Sequence, residues 1–111
     1  MVKIKFLIII LFLYLTNIQG QTGIGTLTPD PSAALDITSS DSGLLLTRVS
    51  LLSTEDTATI VDPANGLVVF NIASNGSGDT AVNANSFYYW DASAVRWKFL
   101  INREDLSLIH I

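Results

Sequence analysis

The sequence predicts a mostly β chain: short strands, one short helix near residues 53–60 and a C-terminal aromatic β-hairpin, preceded by a signal-peptide helix. Three observations predict it. Leu67, Val68, Val69, Phe70 and Ile72 form a run of the branched and aromatic residues that favour strands. "SFYYW" and "VRWKFLI" flank Asp91 to Ala94, the spacing of an antiparallel hairpin with a four-residue loop. Gly, Pro, Ser and Asn crowd the segments between the apolar runs, which keeps regular elements short.

The first 20 residues separate from the rest. Lys3 and Lys5 give a positive start, Phe6 to Leu15 are an unbroken apolar run, and Thr16 to Gly20 turn polar and small. This is the plan of a secretory signal peptide cleaved after Gly20. The apolar run is shorter than the roughly 20 residues a membrane-crossing helix needs, so no stable span is expected after cleavage.

Residues 21–43 hold Gly23, Gly25, Pro29, Pro31 and Gly43 with a Ser-rich patch, an extended segment in which Ala34 to Ile37 can form one brief strand. A small β-rich module is expected over 44–101. Leu44, Leu45 and Leu46 read as a strand buried on both faces. Ser53 or Thr54 followed by Glu55 and Asp56 reads as a helix start, a hydroxyl cap ahead of carboxylates near the positive end of the helix dipole. That helix is held to about two turns by Pro63. "DPANG", Asp62 to Gly66, reads as a turn before the strongest strand, and Asn75 to Asn85 as a flexible polar loop.

In the last strand Val95, Trp97, Phe99 and Ile101 share one face while Arg96 and Lys98 share the other, so one side packs and the other meets water. Residues 102–111 are expected to be a disordered or artefactual tail.

Charge and cysteine content exclude several classes. Removing Lys3 and Lys5 with the signal takes the net charge from −4 to −6, and the remaining basic residues form no run. That argues against a nucleic-acid partner, whose phosphates are neutralised by Lys and Arg. The chain has no cysteine, hence neither a disulfide framework nor a lipidated cysteine tether. The 91 residues left of 111 make one small domain at most. At that size buried surface is limited, which favours oligomerisation or membership of a larger protein.

No constellation for catalysis is present. Asp41-Ser42-Gly43 matches the triplet at the centre of dimeric aspartic proteases, but Thr38, Ser39 and Ser40 stand where an apolar strand must lead in, so a Ser-rich turn is expected. The single histidine, His110, is penultimate and suits neither a serine-hydrolase base nor a zinc site. Asn75, Ser77 and Asp79 alternate like a calcium loop, yet Ser86 occupies the position of its bidentate glutamate. Gly23 and Gly25 lack the third glycine of a dinucleotide fingerprint. No enzyme activity, cofactor or metal is therefore expected. The aromatic cluster reads as core, with one exception: Tyr88 and Trp90 point outward if Phe87 and Tyr89 face in. Tyr88, Trp90 and Trp97 are then candidate platforms for stacking a glycan.

The segments "GIGTLTPDPSAALDI", "GLLLTRV", "STEDTATIVDPANGLVVFN" and "FYYWDASAVRWKFL" resemble the N-terminal region of exported, uncharacterised surface proteins of Bacteroidetes. The Gly-Ile-Gly-Thr segment is also similar to one in the trimeric stalks of phage tail fibres and tail spikes. Two departures stand out: Thr47 where that pattern has proline, and the tail "NREDLSLIHI" where it continues differently. The resemblance implies a non-enzymatic, secreted or cell-surface structural or adhesin-like module, a fragment of a larger protein. It also implies partners, a homo-trimer or other subunits of a surface assembly. A small carbohydrate-binding module using the three rings is the alternative.

Overall fold

The computed structural model describes residues 2–14 and 20–100. The expected tail and residues 15–19 of the expected signal peptide lie outside them. The chain is mostly sheet, with short strands and one helix at the N-terminus. It divides into two units, residues 1–44 and 45–111.

The first unit begins with helix α1 (Val2–Tyr14), whose only charged residues are Lys3 and Lys5 and whose residues are all exposed. Among the described residues no helix is long and apolar enough to cross a membrane. Strands β1 (Thr22–Ile24) and β2 (Leu35–Ile37) then pair in parallel, Thr22 opposite Leu35 and Ile24 opposite Ile37.

The glycines of "GIG" serve this pairing. Gly25 sits at φ +75°, and a Cβ there would lie 2.0 Å from the Thr38 carbonyl oxygen, so only glycine lets the strand ends approach. Asp30 ties the connection: its carboxylate accepts hydrogen bonds from the Ser32 N–H and Oγ, and its own N–H donates to Asp36 Oδ2 at 2.9 Å. Those Ser32 bonds, side chain first, hold the Asp30 carboxyl below its usual range.

The second unit is a four-stranded sheet in the order β3 (Arg48–Val49), β4 (Val68–Asn71), β5 (Ser86–Asp91), β6 (Arg96–Phe99). β3 runs parallel to β4 and the other neighbours are antiparallel. The expected strand and hairpin are both present. The hairpin loop is Ala92–Val95, one residue later than the spacing indicates, because Asp91 pairs with Arg96. The Asp91 carboxylate organises that loop, accepting from the Ser93 and Ala94 N–H groups and from Ser93 Oγ.

Three expectations are corrected. Leu44 and Leu45 are exposed and belong to no strand, while Leu46 is half-buried. No helix forms over 53–60; the segment is a chain of turns. Asp56 is the cause, because its carboxylate accepts hydrogen bonds from the N–H groups of Leu52, Ala58 and Thr59 and from the Thr59 hydroxyl. Those donors are taken by a side chain rather than by a helical ladder. The stretch 75–85 is no free loop either: Asn75 and Val82 form a β-bridge, Gly78–Thr80 is a 3-10 turn, and Val82 is fully buried.

The core forms on one face of this sheet. Val69, Tyr88, Trp90 and Trp97 project from the strands, and the turns supply Leu51 and Val82, with Val49 and Ile60 packed at the margin. Burying each large apolar side chain stabilises the unit by roughly 1.5–3 kcal/mol. Polar ties fasten the turns to the sheet. The fully buried Asn71 amide accepts from Leu51 N–H and donates to the carbonyls of Ala73 and Asn83. The Trp97 indole N–H donates to the Asp56 carbonyl at 2.7 Å, and Tyr88 Oη accepts the Asn83 N–H at 2.8 Å.

Candidate functional site

Strand alternation assigns each side chain of the sheet to one of two faces. Trp90 lies opposite Trp97 and Val69 opposite Tyr88, which fixes the core face. The residues between them belong to the other face. There Phe70 is opposite Phe87 with ring centroids 4.9 Å apart edge-to-face, and Val68 is opposite Tyr89. Phe87 is 42% exposed and Ile72, two residues beyond Phe70, is 50% exposed. An antiparallel sheet with one face in water normally carries polar residues on it. This one carries a strip of aromatic and aliphatic side chains.

Cations border the strip. Arg48 is in register with Phe70, and Lys98 with Tyr89, so both lie on the outer face, as does Arg96 beside Lys98 on β6. Lys98 Nζ is 2.6 Å from Asp91 Oδ2, and Arg96 is 3.6 Å from Glu55. The pairing with Lys98, followed by the Ser93 and Ala94 hydrogen bonds, holds the Asp91 carboxyl well below its usual range; Asp91 in turn raises Lys98. Both stay charged across any physiological pH.

The expected stacking residues fall on the opposite face. Tyr88 is 2% exposed, Trp90 5% and Trp97 1%. Trp90 and Trp97 pack edge-to-face at 5.3 Å, and Tyr88 packs against Phe99 at the same distance. The orientation expected for β5 is reversed: Phe87 and Tyr89 face out, Tyr88 and Trp90 face in. No face of the three buried rings is free to receive a sugar. The signal that finds this is the hairpin itself. A four-residue loop at either placement puts residues 88 and 90 on the face of Trp97, whose neighbours Arg96 and Lys98 already mark it as the inner one.

The remaining sequence motifs resolve into local structure. The Asp41 carboxylate accepts the hydroxyls of Ser39 and Ser42, closing an exposed turn. The Asn75 amide donates to the Leu51 carbonyl at 2.8 Å, fastening the 75–82 segment to the core turn. His110 lies outside the described residues. Among the described residues no pocket and no metal-binding group of acidic or histidine side chains is found. What these motifs leave without a local role is the outer apolar strip, in which Phe87 and Ile72 are exposed and Val68, Phe70 and Tyr89 are half-buried.

A family model described as "phage tail like trimerisation region" matches residues 23–108. The chain belongs to this phage tail-like trimerisation family. The match takes in both strand systems, from the "GIG" glycines of β1 through the hairpin of β5 and β6. No curated protein and no solved structure matches the chain.

Proposed function

We propose that this chain is a structural, non-enzymatic module that assembles as a homo-trimer in a secreted or cell-surface fibre or adhesin-like assembly. The observation that carries the reading is the family match over residues 23–108. The geometry supports it. The second unit has a well-packed core on one side of its sheet and an apolar strip on the other, the condition of a domain completed by association. The first unit contains no buried residue among those described, so β1 and β2 have no core of their own. Two strands alone are marginal in water.

The α1 segment supports export. Its apolar run behind two lysines is that of a secretion signal, and in this reading it is removed before assembly. The mature protein then opens at Gln21, two residues ahead of the family match.

The test is the solution mass of the exported protein by light scattering coupled to size exclusion. Three chain masses are expected. A single chain mass at all concentrations accessible to the method contradicts the proposal.

A further inference from the structure

We propose that the outer face of the β3–β4–β5–β6 sheet is the surface on which the next copy of the chain docks, an assignment that rests on trimerisation being the module's function. Three features of the face point to a second copy. Its centre is apolar, with Phe87 and Ile72 about half exposed and Phe70 and Tyr89 beside them. Aromatic side chains at the centre of a patch are the usual anchors of a protein interface.

The second feature is charge. Residues 45–100 contain three Lys and Arg residues, Arg48, Arg96 and Lys98, and register places all three on this face. Without its first 20 residues the chain has a net charge of −6. Register places Asp91 on the same face, where it pairs with Lys98, while Glu55 pairs with Arg96, so the uncompensated charge of the face is that of Arg48 and the group it favours on a partner is acidic. A second copy has that character. Among acidic partners a second copy is selected by the match to a trimerisation region.

The third feature is the state of the cations. Lys98 and Arg96 are held by Asp91 and Glu55, whereas Arg48 has no ion pair among the described residues. Arg48 therefore lies at the rim of the strip with its charge available to a carboxylate of the neighbour. Arg48 meeting a carboxylate on a different surface of the next copy makes a head-to-tail contact, which closes into a ring when the rotation is one third of a turn.

The absence of cysteine makes a direct test simple, since one introduced thiol is unique in the chain. In the exported protein, Phe87→Cys is expected to react with a maleimide at least roughly tenfold more slowly than Ser93→Cys in the hairpin loop, as for a site that must open before it is reached. Phe87→Lys is expected to move the mass from three chains to one while the near-ultraviolet signal of the Trp90–Trp97 pair is kept. If Phe87→Cys labels as fast as Ser93→Cys while the protein stays trimeric, the face is free and the assignment is overturned, with trimerisation intact. If the unsubstituted protein has the mass of one chain, the trimerisation reading falls and this face with it. Should Phe87→Lys fail to fold, the labelling comparison decides alone.

Discussion

The two units of this protein make their structure in different ways. In residues 45–100 two tryptophans, a tyrosine, a leucine and two valines close a core, and buried Asn71 and Asp56 lace the long turns onto it. In residues 20–44 nothing is buried, and β1 and β2 are joined by three register pairs, the Gly25 approach and the Asp30 turn. Both stretches contain apolar residues. The difference is that only the later one has a sheet wide enough to offer a face. The earlier unit shows that strand pairing can be specified by glycine and aspartate without any buried residue.

The largest expected effect lies inside the core. Trp97→Ala removes a ring that packs on Trp90 and an indole N–H that holds the Asp56 carbonyl. A loss of roughly 3–5 kcal/mol is expected in denaturant unfolding, a large share of the stability of a small domain. A loss below about 1 kcal/mol would mean that the turns are fastened independently of the core.

A middle-sized effect follows pH. Burial disfavours charge on Asp56, but its hydrogen bonds from Thr59, Leu52 and Ala58 together outweigh burial and lower its pKa to about 2 from the ordinary 3.8. The folded form therefore binds this proton less readily than the unfolded chain. Stability from this group is present above about pH 4 and lost as the pH falls toward 2, amounting to roughly 2 kcal/mol. Unfolding midpoints measured between about pH 5 and pH 2 should fall accordingly, and Asp56→Asn should remove this part of the slope. An unchanged slope in the variant would show that other carboxylates carry it.

The smallest effect belongs to the boundary between the units. Leu45 is 70% exposed, so Leu45→Ala should change stability by no more than about 0.5 kcal/mol. A cost of 2 kcal/mol or more would restore the reading of Leu44–Leu46 as a buried strand.

Much of the second unit was legible in the residues. The β4 strand announces itself by its branched side chains, and the hairpin by two aromatic runs at loop spacing. What misled was phase. In "SFYYW" nearly every position is aromatic, so alternation alone does not say which rings face inward, and the hairpin pairing with the strand of Trp97 does. The turn segment misled for another reason. Ser53, Glu55 and Asp56 have the composition of a helix start, and Asp56 bends the same donors around its own carboxylate. Val82 was hidden because a lone valine in a polar stretch carries no periodicity.

The uncovered face was legible only after the phase was known, since the same strip of Phe87 and Tyr89 reads as core when the strand is turned over. The Gly-Ile-Gly-Thr likeness to tail-fibre stalks pointed toward the trimerisation family before any register was known.

The module is proposed to be completed by further copies of itself. The most direct test of this proposal is the thermal unfolding midpoint of the exported protein as a function of its concentration. If folded chains are linked as trimers, dilution favours the unfolded single chains and the midpoint rises with concentration. A midpoint that stays constant across a hundredfold range of concentration, with reversible unfolding, would contradict it.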